Sequence, residues 1–190
     1  MTTRPYHHGD LRRAVLDAAV EAIAESGPAG VSLRDLARRA GVSHAGPIHH
    51  FGDKAGVLTA VAAEGYDLLA DALVATRERS GRFVELGVAY VRFAVERRAH
   101  FEVMFRPDLY RADDPAVAAA RDRAGGLLMS GVSSVTDPRA GDDPDLAGVA
   151  AWSLVHGFAT LWLTGALPRA DDDLEASARA VAGMLFGGEA

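Results

Sequence analysis

Apolar residues recur at three- and four-residue intervals along almost the whole chain, and no run of alternating β-branched residues interrupts them, so the pattern predicts an all-α protein. Leu11, Val15, Ala19 and Ile23 form an i, i+4 stripe of a first helix that starts near Asp10 and stops at Gly27-Pro28, where the proline ring forbids continuation. Past Gly30, Ser32 has the chemistry of an N-cap, Asp35 completes an S-x-x-D capping box, and Val31 with Leu36 takes the positions of a hydrophobic staple. The second helix is short, because Gly41 follows Ala40 and supplies the left-handed backbone favoured just past a helix end. Ser43 is expected to cap a third helix ending near Phe51-Gly52, and Asp53 a long fourth one bearing Leu58, Val61, Leu68, Ala72 and Leu73. Helix, a turn of Gly41-Val42-Ser43, and helix again is the layout of a DNA-binding helix-turn-helix.

Beyond Gly81, Phe83, Leu86, Gly87, Tyr90, Ala94 and Arg97 share one face of a further helix, and a short aromatic segment from His100 to Phe105 ends at Pro107. Asp114-Pro115 is an N-cap followed by an N1 proline and opens another helix through Ala118, Arg121, Leu128 and Val132. Residues 136–144 read as an exposed loop. Leu146 to Leu167 carries no formal charge with His156 neutral, and its length alone admits a membrane span. Gly148, Ser153, His156, Gly157, Thr160, Thr164 and Gly165 lower its hydropathy, both flanks are acid-rich, and no basic cluster sets an orientation, so a membrane span is not expected. A soluble helix apolar on all sides is expected to be buried on all sides. A last helix after Asp171-Asp172-Asp173 shows Leu174, Ala178, Val181 and Leu185, with an acidic start that suits its dipole. The organisation expected is a three-helix helix-turn-helix domain over 1–54, a connecting helix over 55–80, and a larger helical ligand-binding and dimerisation domain over 81–190.

Charge sharpens this division. The 190 residues carry a net charge of −6. Residues 1–54 hold Arg4, Arg12, Arg13, Arg34, Arg38, Arg39 and Lys54 against Asp10, Asp17, Glu21, Glu25, Asp35 and Asp53, so this stretch is +1 and the remainder −7. Five of the seven histidines lie there too, at positions 7, 8, 44, 49 and 50. The N-terminal part is therefore the region able to face phosphates without strong repulsion. Cysteine is absent, which removes disulfides and metal-thiolate sites, and the N-terminus has no apolar h-region, so the expected compartment is the cytoplasm.

The run Val31-Ser-Leu-Arg-Asp-Leu-Ala-Arg-Arg-Ala-Gly-Val-Ser43, followed by His49-His50-Phe51-Gly-Asp-Lys54 and Leu58, resembles the DNA-binding domain of the TetR family of transcription regulators. The resemblance implies phosphate contacts at the start of the second helix (Ser32, Arg34), at Ser43, at His49 and at Lys54, the chain's single lysine. Base-edge readout is expected from His44, Ala45 and Gly46, with Pro47 touching a thymine methyl. A solvated surface role remains the alternative for Lys54 and for His44. Where most relatives carry a leucine-tyrosine pair, this chain has Pro47-Ile48; Ile48 lacks the tyrosine hydroxyl and is expected to plug the gap between helices.

Trp152, His156 and Gly157, continued by Leu161-Trp162, resemble the Trp-His-Gly signature of one TetR C-terminal subgroup. Trp152 and His156 are four apart, hence on one face, and with Phe101, Met104 and Phe105 suit a pocket for a small, largely apolar effector. A buried Trp and a hydrogen-bonded His are equally common in cores, so both readings stand. The family implies a homodimer through the last two helices, with two third helices about 34 Å apart on double-stranded operator DNA. No cofactor, metal or membrane partner is expected. The alternative function is a helical small-molecule-binding protein or enzyme using the C-terminal pocket, but no H-E-x-x-H or similar constellation supports catalysis.

Overall fold

The computed structural model describes residues 8–132, 143–167 and 173–184. Among these residues the chain is all-helical: α1 His8–Ser26, α2 Leu33–Arg39, α3 Ala45–Phe51, α4 Lys54–Ser80, α5 Phe83–Glu96, α6 Arg98–Met104, α7 Pro115–Val132, α8 Pro144–Thr164 and α9 Leu174–Gly183, with a 3₁₀ turn over Pro28–Gly30. Residues 136–142 of the expected loop, Asp171, Asp172 and Leu185 lie outside the described residues. Asp143 and Pro144 instead open α8 as N-cap and first residue, the Asp143 carboxylate accepting from the Leu146 amide at 3.0 Å. Asp114 does the same for α7, accepting from the Ala116 amide at 2.9 Å.

The chain forms two compact units, one within Met1–Gly65 and Ala99–Ala118, the other within Tyr66–Arg98 and Ala119–Ala190. In the first, Leu11, Val15, Ala19 and Ile23 of α1 are all buried, and α1 packs on both α2 and α3. Val31 and Leu36 close the entry to α2, and Val57, Leu58 and Val61 continue the core along α4. Each fully buried aliphatic side chain contributes roughly 1.5–3 kcal/mol. The segment Ala99–Ala118, which the chain's patterning groups with the C-terminal part, belongs to this first unit. It is tied down there by the Arg111 amide donating to Thr59 Oγ1 at 3.0 Å and by the Arg111 guanidinium, 2.8 Å from Asp53.

In the second unit α5 packs against α8 and α9. Its buried set, Val84, Leu86, Val88, Ala89, Tyr90, Val91, Phe93 and Ala94, is wider than one face, and Arg97 falls just past the helix and is exposed. Gly87 permits the close approach: a Cβ there would lie 3.1 Å from the Ala182 Cβ and 3.2 Å from Val155 Cγ1. Ion pairs of Arg179 with Glu85 (2.9 Å) and Arg92 with Glu175 (3.3 Å) fasten α9 to α5 at the surface. α8 buries Gly148, Ala151, Val155 and Ala159 and leaves Leu146, Val149 and Leu161 exposed. It is long and apolar enough to cross a membrane by composition, with a mean hydropathy of 1.5.

Candidate nucleic-acid interface

The local geometry of α2 and its turn follows from a few side chains. Ser32 Oγ accepts from the Asp35 amide at 3.2 Å, the N-terminal half of the capping box. At the other end the Val42 amide reaches the Ala37 carbonyl at 3.0 Å and the Gly41 amide the Arg38 carbonyl at 3.3 Å, a pair that needs a left-handed residue at Gly41, found at φ +65°. Arg39 then ties α2 to α1: its guanidinium lies 2.6 Å from both Glu25 and Asp35. Hydrogen bonds from Arg39 hold the Glu25 and Asp35 carboxyls below the usual carboxylate range, with Arg38 assisting at Asp35. Arg38 and Arg39 are thus neutralised locally. Arg34 is exposed and makes no ion pair among the described residues.

α3 presents a stripe to solvent. His44, Ala45, Ile48 and His49 are exposed, as is Ser43 ahead of them, while Gly46, Pro47 and Phe51 are buried. Two expectations, the placement of Ile48 and the capping role of Ser43, are corrected here. Gly46 and Pro47 are buried, and Gly46 faces α1, where a Cβ would meet Leu11 Cδ1 at 3.3 Å and Val42 Cγ2 at 3.5 Å. Ile48 does not plug the gap between helices and is 49% exposed; Pro47, one position or about 100° round the helix, takes the inward place. Ser43 is not the cap, since α3 starts one residue later with His44 as N-cap and no side-chain cap bond. That late start puts Pro47 in the first turn, where a missing N–H costs nothing.

Lys54 and Asp53 flank the start of α4. Asp53 caps it, accepting from the Gly56 amide at 2.8 Å. Lys54 is half-buried, and its Nζ donates to the Ala29 carbonyl at 2.7 Å, bracing the turn before α2. An ammonium has three donors, so this bond leaves capacity for an anion.

The second group of candidate residues is divided between the units. Phe101 and Met104 are buried in the first, with the Phe101 and Phe105 rings 5.0 Å apart. Trp152 and His156 lie in the second, where they meet Tyr90: the Tyr90 hydroxyl is 2.8 Å from His156 Nδ1 and accepts from Trp152 Nε1 at 3.2 Å. Burial pushes the Tyr90 phenol well above its ordinary value and the His156 imidazole below its own. A shallow, partly open groove lies beside this cluster, lined by Phe83, Leu86, Leu128, Trp152, Val155 and Ala182 among others. Of the five residues expected to line a pocket, Trp152 alone borders it. Among the described residues no three His, Asp or Glu side chains converge as metal ligands.

The family model for the tetracyclin repressor-like C-terminal domain matches residues 83–185, and that for bacterial regulatory proteins of the tetR family matches residues 15–61. The chain belongs to the TetR family. Its members are transcriptional regulators rather than enzymes. This TetR-family chain is 39% identical over 69 residues to the HTH-type transcriptional repressor Rv3405c of Mycobacterium tuberculosis, an alignment covering 32% of the chain and 37% of that repressor. It therefore spans little more than a third of the curated relatives it matches. Its fold is shared with a protein of unknown function from Rhodococcus sp. RHA1, at 31% identity and a TM-score of 0.81 over 98% of both chains. The TetR family regulator PfmR of Thermus thermophilus has the same fold at 23% identity and a TM-score of 0.68, over 93% of this chain and 98% of that one.

Two features of this TetR-family chain escape sequence reasoning. On sequence Tyr90 is one more apolar position of α5, yet it is the hub between Trp152 and His156. Its only advance signal is that a buried tyrosine needs a partner for its hydroxyl. The outward turn of Ile48 has a weaker signal still, the small size of Gly46, which invites a neighbouring helix on that side.

Proposed function

We propose that the chain is a cytoplasmic, DNA-binding repressor acting as a symmetric pair of subunits, released from its operator by a small, largely apolar molecule. The observation that carries the DNA reading is the exposed stripe of α3, Ser43-His44-Ala45 with Ile48 and His49, held outward by the Gly41 turn and by Gly46 and Pro47 packed inward. A helix buried on one side against α1 and α2, with small and polar side chains on the other, is shaped to enter a major groove. Ser32, Arg34 and Lys54 lie on the flanking elements, where phosphate contacts would fix the register.

The exposed apolar side chains Leu146, Val149 and Leu161 of α8 favour a second copy as their cover, which gives two α3 helices on one duplex. Trp152, at the edge of the groove in the second unit, supports an apolar effector there in place of the wider pocket with Phe101, Met104 and Phe105. The test is binding of the full chain to duplexes from the intergenic DNA beside its own gene, across a salt series. Preference for an inverted repeat with half-sites about 34 Å apart, and affinity falling steeply with salt, is the expected result. Equal binding to all duplexes, or none, overturns the proposal.

A further inference from the structure

In the unit that carries the helix-turn-helix, Ile48 is the one large apolar side chain exposed among the described residues; Leu146, Val149, Leu161 and Met184 all belong to the other unit. A single exposed isoleucine is ordinary on most surfaces. The place of this one is informative. It stands four residues after His44 and three after Ala45, so the three share the outward face of α3, and His49 adjoins it. Ala45 is too small to shield it, and nothing on the inner side competes for it, because Gly46 and Pro47 already fill the space against α1.

We infer that Ile48 is a specificity-determining residue that packs on the 5-methyl group of a thymine at one fixed position in each half-site. This rests on the reading of α3 as the DNA-entering helix. Of the four bases, thymine alone presents an apolar group in the major groove, and an aliphatic side chain there has no hydrogen-bonding alternative. Desolvating the C5-methyl against the isoleucine favours T·A over the other pairs. The same contact leaves His44 as the polar reader on that face.

The experiment has two stages, both with the full-length chain. Duplexes are first selected from a random pool, and the enriched site is then rebuilt with deoxyuridine replacing each thymidine in turn, which removes one methyl and nothing else. For the unaltered protein, one position per half-site should weaken binding about fourfold on losing its methyl, the worth of one buried carbon. Ile48→Ala should bind the parent site more weakly by a similar or larger factor and no longer respond to deoxyuridine at that position. Ile48→Val should keep part of the response. Since the side chain is exposed, folding is checked by comparing thermal melts. If Ile48→Ala retains the full methyl response, or no position shows one, the role of Ile48 is wrong while the DNA reading survives. If the unaltered chain enriches no duplex, both fall together.

Discussion

The hydroxyl of Tyr90 lies 2.8 Å from Nδ1 of His156, and the same oxygen accepts the indole hydrogen of Trp152 at 3.2 Å. The indole only donates, and Nδ1 of His156 accepts from the Tyr90 hydroxyl only when that nitrogen is bare. Burial favours the neutral imidazole and so lowers the His156 pKa. A group whose folded value is depressed stabilises the fold fully above its unfolded value, near pH 6.5, and loses that contribution as pH falls from there towards the folded value. Urea unfolding at pH 8 and at pH 5.5 should show a smaller difference for His156→Asn than for the parent. An identical difference would remove His156 from the account.

Tyr90→Phe isolates the hydroxyl from the ring. The substitution keeps the buried aromatic volume and removes both hydrogen bonds, leaving Trp152 Nε1 without this acceptor. The expected loss of stability is about 1–3 kcal/mol, the desolvation penalty of part-buried polar groups deprived of a partner. Denaturant midpoints within error of the parent would mean that solvent replaces the hydroxyl without cost.

Gly56 and Gly126 should respond to alanine in opposite directions. A Cβ on Gly56 would overlap the Phe51 carbonyl oxygen and lie 2.8 Å from Arg111 Nη1. The guanidinium can swing away, but the carbonyl is backbone at the end of α3 and cannot. Gly56→Ala should therefore cost about 3 kcal/mol, as overpacking does. Gly126 is exposed in the middle of α7 with nothing within 4 Å of a Cβ, so Gly126→Ala should stabilise by about 0.5–1 kcal/mol through helix propensity. Thermal melts of the two variants decide it.

Features encoded within a few residues were legible in the chain. The Ser32 cap, the left-handed Gly41, the Asp53 and Asp114 caps and the buried α1 stripe each depend on neighbours in sequence, and all are present. Which side of α3 faces outward was not, because Pro47 and Ile48 differ by a rotation of about 100° that only packing of Gly46 on Leu11 decides. The grouping of Ala99–Ala118 with the helix-turn-helix was hidden for the same reason. It rests on Arg111 reaching Asp53 and Thr59, contacts separated by more than fifty residues. The Trp152–His156 face was readable from spacing, whereas its partner Tyr90 sits on another helix.

Among the arginines of α2, only some should matter for DNA affinity. Arg38 and Arg39 are paired with carboxylates, but Arg34 is not, and Lys54 holds a neutral carbonyl. Arg34→Ala and Lys54→Ala should each weaken binding to all duplexes by a similar factor and reduce the slope of log affinity against log salt by about 0.9. Arg38→Ala should change that slope less. A slope reduced equally by all three would show that the Asp35 pairing does not survive on DNA.

The outer side of α8 offers the sharpest test of a paired assembly. Leu146, Val149, Ala150, Ser153, Thr160, Leu161 and Thr164 are all exposed, and their spacing of three and four places them along one side of the helix. Leu146 is 64%, Val149 49% and Leu161 45% exposed, an arrangement that favours cover by the same surface of a second copy across a two-fold axis. A carboxylate introduced there would be buried without a partner in the pair and solvated in the single chain. Val149→Glu and Leu161→Glu should thus shift the protein to monomers in sedimentation experiments while leaving helical content unchanged. Affinity for a two-half-site duplex should fall together with pairing, because a monomer reaches one half-site at a time. If both variants sediment as the parent does, the apolar side of α8 is not where the copies meet.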